Sequence, residues 1–117
     1  MDKQLFSWEK LALSLTLLMA VLIAIGTLWP SSGPSGPPGH DKVLHAAVFA
    51  ALVLPVALWA RRHLTWLVPA ALAYGAFIEL VQPFVGRGAE WMDLVADAIG
   101  VALALFLARI APNRWRR

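Results

Sequence analysis

The chain has 117 residues, 60% of them hydrophobic and 15% charged, against about 45–50% apolar and about 25% charged in an ordinary soluble domain. The absence of cysteine excludes a disulfide framework, a thiolate metal site and a cysteine nucleophile. A net charge of +3 would suit nucleic acid in a soluble protein, but the basic residues flank apolar segments, the pattern of a membrane protein, and no nucleic-acid partner is expected.

The first apolar stretch runs from Leu11 to about Trp29 without a charge. It exceeds the roughly 7–15 residues of a signal-peptide core, and no Ala-x-Ala site follows it, so it is read as a spanning helix. Residues 30–40 are rich in proline, glycine and serine and are expected to form a flexible loop. The second stretch runs from Val43 to Ala60 and holds His45 near its start. Arg61, Arg62 and His63 form a very short connection to the third, Leu64 to about Phe84, which contains Glu79. Gly86 and Gly88 permit a sharp turn before the fourth, Met92 to Ile110, which contains Asp93 and Asp97. Each stretch is close to the ~20 residues that cross a bilayer at about 1.5 Å per residue. The expected architecture is all-α: a single domain over residues 1–117, a bundle of four transmembrane helices at about 11–29, 43–60, 64–84 and 92–110.

Basic residues set the orientation. Lys3, Lys10, Arg61, Arg62, Arg109, Arg114, Arg116 and Arg117 fall on one side, and Lys42 and Arg87 on the other. Both termini are therefore expected in the cytoplasm. Trp8, Trp29, Trp59, Trp66, Trp91 and Trp115 all lie near helix ends, where an indole stays half buried with its N–H wet.

The polar residues are distributed unevenly. Asp41, Glu79, Glu90, Asp93 and Asp97 fall on the outer side, with His40, Lys42, His45, Gln82 and Arg87. His45 lies about one turn into the second helix, Glu79 about 7 Å and Asp97 about 8 Å below the outer ends of theirs, so all three reach a similar level. An ionisable group there costs at least about 2.5–3.5 kcal/mol unless it is paired or wet, so the three helices are expected to turn these residues towards one another. Asp93, Asp97, Gly100 and Ala104 share one face of the fourth helix, and Ala71, Gly75, Glu79 and Gln82 one face of the third. Asp41, His45, Phe49 and Leu52 share a face of the second. The first helix has no such stripe and reads as a largely lipid-facing brace. Glu90 and His40 read as solvated loop residues, His63 as an interfacial neighbour of the arginines, and Tyr74 as packing. A purely structural role for the buried acids, pairing with Lys42, Arg87 or His45, is the competing reading.

Three motifs carry a family resemblance. Asp41-Lys42-Val43-Leu44-His45 followed by Phe49 resembles the Asp-Lys-x-x-His-x-x-x-Phe motif that opens the VanZ-like family. Glu79-Leu80-Val81-Gln82 followed by Phe84 is similar to its Glu-x-x-Gln-x-Phe motif. Arg87, Asp93, Asp97 and Gly100 are similar to its Arg…Asp-x-x-x-Asn-x-x-Gly run. Asp97 replaces the usual asparagine, and Ala104 stands where a second glycine is common. The resemblance covers roughly Trp29 to Ala108. It implies a multi-pass protein of the bacterial cytoplasmic (inner) membrane, in a family whose namesake confers low-level teicoplanin resistance. It implies a fold and a site rather than a reaction.

Three functions compete, and a fourth, a proton or ion pathway, is disfavoured because the inner half of the bundle is nearly apolar. The first is binding or modification of an envelope amphiphile: a lipoglycopeptide antibiotic, a cell-wall lipid intermediate or a phospholipid. Lys42 and Arg87 would hold its phosphate or carboxylate, and Asp41, His45, Glu79, Gln82, Asp93 and Asp97 its hydroxyls, amines or a cation. The site would open sideways between helices two to four. The second is an enzyme with His45 or Glu79 as general base, or a hard-ligand set of Asp93, Asp97 and His45. No nucleophile or zinc-protease motif supports it, and neither a cofactor nor a metal is assigned. The third is a small accessory or structural subunit docked on a membrane-protein partner through helix one.

Overall fold

The computed structural model describes residues 7–30 and 39–116. Most of the Pro/Gly/Ser-rich loop (31–38), Lys3 and Arg117 lie outside the described residues. Four long helices follow in order: α1 (Trp8–Leu28), α2 (His40–Trp59), α3 (Leu64–Val81) and α4 (Trp91–Ile110). No strand occurs among the described residues. All four elements are long and apolar enough to cross a membrane. Many of their large side chains, such as Leu17, Leu18, Val21, Phe77, Leu80, Ile99 and Phe106, are exposed. In a bundle this small, lipid takes the place of a second apolar layer.

Helix ends differ from the apolar runs for identifiable reasons. α2 begins at His40, before the apolar run, because the polar pair Asp41-Lys42 is already helical behind Gly39. An aspartate in a first turn also suits the positive end of the helix dipole. α3 stops at Val81, and Gln82–Val85 tightens into a 3-10 turn, since Pro83 has no N–H to continue the α-helical ladder. Gly86 then takes φ 82°, a left-handed conformation that glycine adopts without steric cost. The turn closes with Arg87 N–H donating to the Gln82 carbonyl at 3.0 Å.

The bundle is centred on α2, whose most extensive interface is with α4 and whose next is with α1. Phe49, Leu52, Val53, Ala71, Ile78, Val101 and Ala104 form the main core with Ile23. Gly100 lets α4 lie against the backbone of α2: a Cβ there would collide with the Ala46 carbonyl oxygen and stand 3.0 Å from Ala46 C and Cα. Small residues allow such close crossings between membrane helices.

α1 joins through backbone acceptors. Thr16 Oγ1–H donates to the Leu52 carbonyl at 2.7 Å, and Tyr74 O–H donates to the Ala20 carbonyl. Tyr74 is therefore more than packing, because it ties α3 to α1. Replacing Thr16 by valine keeps the shape and removes a buried bond. It is expected to lower unfolding free energy by about 0.6 kcal/mol, the usual scale of such contacts in membranes. Unfolding in mixed micelles followed by tryptophan fluorescence would measure this; a loss above about 2 kcal/mol would mean the bond carries more than that scale.

The two ends of the bundle differ in charge. At one end Glu9 pairs with Arg62 and lies 3.3 Å from His63 Nε2, and Trp66 Nε1–H donates to His63 Nδ1 at 2.9 Å. Trp8 and Trp59 pack with ring centroids 5.0 Å apart, and Trp59 Nε1–H donates to the Trp115 carbonyl at 2.8 Å. The opposite end carries the acids.

Candidate functional site

At the acidic end α2, α3 and α4 converge. His45, Glu79, Gln82, Asp93 and Asp97 are all buried, Asp97 completely. The remaining members of the small-residue faces on α3 and α4, namely Ala71, Gly75, Gly100 and Ala104, are buried with them. Helical spacing thus puts the carboxylates and the small residues on the faces that meet. A Cβ at Gly75 would collide with Asp97 Oδ2, so that glycine makes the room Asp97 occupies.

The centre of the cluster is His45. Its Nδ1 lies 2.7 Å from Asp97 Oδ1, and its Nε2 lies 3.7 Å from Asp93 Oδ2. With Asp97 ionised, its carboxylate only accepts hydrogen bonds and the Nδ1–H donates to it. In the neutral ring Nε2 then carries a lone pair facing Asp93. His45, Glu79 and Asp93 each offer one ligand atom within 4.8 Å of the other two. Glu79 Oε2 accepts the N–H of Glu90 at 2.9 Å, the residue that precedes α4. Glu79 Oε1, Gln82 Oε1, Asp93 Oδ1 and Asp97 Oδ2 are buried without a hydrogen-bond partner.

Above this layer Lys42 gathers a second set of acids. Its ammonium pairs with Glu90 and lies 3.6 Å from Asp41 Oδ2 and 3.4 Å from Asp93 Oδ1. The last approach is an ion pair without a hydrogen bond. Glu90, expected to be a solvated loop residue, is half of this ion pair, and its N–H also holds Glu79. The sequence signal for it was its position three residues before Asp93, which the loop context obscured. Asp41 is exposed and marks the rim.

Arg87 stands apart from the acids. Its guanidinium Nη1–H donates to the Trp29 carbonyl at 3.4 Å, and Gln82 Nε2–H donates to the Thr27 carbonyl at 3.1 Å. Both tether the end of α1. A side cavity of about 230 Å³ lies here, lined by Met19, Leu22, Ile23, Gly26 and Thr27 of α1, by Asp41, Leu44, His45 and Val48 of α2, and by Arg87. Two expectations therefore change. The side cavity lies between α1 and α2, whereas an opening is expected from the sequence between helices two to four. And α1, although mostly exposed, is a wall of the site; it contributes carbonyl oxygens and apolar side chains, which make no polar stripe. The hard-ligand set expected from Asp93, Asp97 and His45 also changes, since Asp97 sits behind His45 on Nδ1 and Glu79 takes its place in front.

The fold and the cluster define a small multi-pass membrane protein with a titratable cluster buried at one end of a four-helix bundle. The sequence matches the VanZ/LLP1 family over residues 7–112, and the chain belongs to that family. No match was found among curated proteins or among solved structures.

Proposed function

We propose that the acidic end faces the outside of a bacterial cytoplasmic membrane, both termini lying in the cytoplasm, and that the α1–α2 cleft binds the head-group region of an envelope amphiphile. The orientation rests on the excess of Arg and Lys at the opposite end. The observation that carries the binding reading is the composition of the cleft. Its α1 and α2 walls are apolar (Met19, Leu22, Ile23, Leu44, Val48), while Asp41, His45 and Arg87 stand at its polar end. An acyl chain suits the former surface and a phosphate or carboxylate suits the Arg87 guanidinium. At about 230 Å³, below the roughly 300–1,000 Å³ of a typical ligand pocket, the cleft fits the junction of head group and chain rather than a whole lipid. Phospholipids, cell-wall lipid intermediates and lipoglycopeptides share that chemistry.

Native mass spectrometry of the full chain, released from mild detergent, tests this. One co-purifying lipid class is expected on the wild type. It should fall at least several-fold in Arg87→Ala, which removes the anion partner, and in Leu44→Trp, which fills the cleft. Equal lipid occupancy in all three proteins would overturn the reading. A stoichiometric protein partner with no bound lipid would do so in favour of an accessory subunit.

A further inference from the structure

Two groups of acids stack at this end, and they differ in what balances them. The rim group, Asp41, Glu90 and Asp93, encloses the Lys42 ammonium, which pairs with all three. The deeper group, His45, Glu79 and Asp93, shares Asp93 and its Lys42 contact with the rim, and its other two members have no ammonium or guanidinium partner among the described residues. Among the described residues Glu79 makes no ion pair within 4.0 Å, although it is 8% exposed and its Oε1 has no hydrogen-bond partner. Beside it, Nε2 of His45 stands 3.7 Å from Asp93 Oδ2, and in the neutral tautomer that donates from Nδ1 it carries a lone pair turned towards that carboxylate. In that tautomer acceptors meet acceptors in a buried place where Glu79 Oε1 and Asp93 Oδ1 also lack a hydrogen-bond partner, an arrangement that is costly unless a positive charge lies between them.

The donor set fits a particular kind of charge. Three ligands around a cation at about 2.0–2.2 Å stand about 3–4 Å from one another, and the His45–Asp93 distance already falls in that range. Asp97 supplies the outer-shell contact: a ligating histidine commonly donates its other ring N–H to a carboxylate, which fixes the tautomer and aims the free nitrogen at the metal. One imidazole with two carboxylates suits a first-row transition ion such as Zn²⁺ better than Ca²⁺, whose sites are built from oxygen.

We propose that His45 Nε2 and one carboxylate oxygen each from Glu79 and Asp93 form a divalent transition-metal site, with Asp97 positioning the ring. The ion site does not depend on the head-group reading, although His45 also lines the cleft, so a bound ion stands beside the head group.

The probe is Zn²⁺ added to the chelator-stripped full chain in lipid-free detergent. Titration calorimetry should give one equivalent. Glu79→Gln and Asp93→Asn should each weaken binding at least tenfold, whereas Asp41→Asn, confined to the rim group, should leave it unchanged. In the ¹⁵N spectrum of labelled histidine, Nε2 of His45 should shift while Nδ1 stays protonated. That readout needs only the wild type and so survives a variant that does not fold. No binding, equal binding by the Glu79 and Asp93 variants, or a loss confined to Asp41→Asn would each overturn the site. Lipid occupancy that survives EDTA, in a protein that binds no Zn²⁺, overturns the ion site and keeps the head-group reading. Zn²⁺ binding without any co-purifying lipid does the reverse.

Discussion

Gly100→Leu is expected to take the bundle apart. The α2–α4 seam is the most extensive in the molecule, and a Cβ at Gly100 would meet the carbonyl, C and Cα of Ala46. These are backbone atoms, so no rotamer change relieves the contact; the whole of α2 must retreat. Retreat at Ala46 also draws away the adjacent His45, whose bond to Asp97 lies one turn from Gly100. Overpacking a tight core by a methyl group costs about 1–3 kcal/mol. Gly100→Ala should fall in that range, and Gly100→Leu beyond it. Gly26 is the internal control, since a Cβ there meets nothing within 4 Å, and Gly26→Ala should unfold like the wild type. Thermal unfolding in detergent, followed by circular dichroism, compares the three. A Gly100→Leu protein with the wild-type midpoint would show that α2 and α4 do not pack as described.

Asp97 should separate charge from hydrogen bonding. It is completely buried, and its bond to His45 at 2.7 Å is the shortest tie between α2 and α4 in the deep layer. Asp97→Leu leaves the Nδ1–H of His45 in a buried place without an acceptor, which costs about 1–3 kcal/mol. Asp97→Asn keeps an amide oxygen to accept that N–H, so its cost should stay under about 1 kcal/mol. A double-mutant cycle pairing Asp97→Ala with His45→Ala should return a coupling of about 0.6–1.7 kcal/mol, the range of interhelical hydrogen bonds in membranes. Zero coupling would mean that the two side chains do not act together. Equal destabilisation by asparagine and leucine would mean that the ionic charge, not the hydrogen bond, holds the pair.

Residue periodicity carried much of the site. On α4 the spacing of Asp93, Asp97, Gly100 and Ala104 placed carboxylates and small residues on one face, and all four are buried. Similar reasoning on α3 placed Glu79 and Gln82 inwards with Gly75, and these too are buried. It worked because a charged side chain in a membrane helix has few places to go other than the bundle interior. It did not reach the pairing of Glu90, an exposed residue just outside α4, with Lys42, nor the bond by which Tyr74, packed against Phe49, also ties α3 to a carbonyl of α1.

The sequence alone determined that the chain can cross the membrane four times and that most of its acids and most of its arginines lie at opposite ends, since both follow from local composition and from helix length against bilayer thickness. The tertiary structure decided which acids have a cation. Asp41, Glu90 and Asp93 surround Lys42, Asp97 is spent on orienting His45, and Glu79 is left facing His45 and Asp93. It also decided which groups at α1 hold its neighbours: besides the Thr16 hydroxyl, these are the carbonyls of Ala20, Thr27 and, just past the helix end, Trp29. Every residue has a carbonyl, so no pattern of side chains announces the ones that are used. Pairing is a matter of ångströms between elements distant in sequence, and only the packed bundle sets those distances.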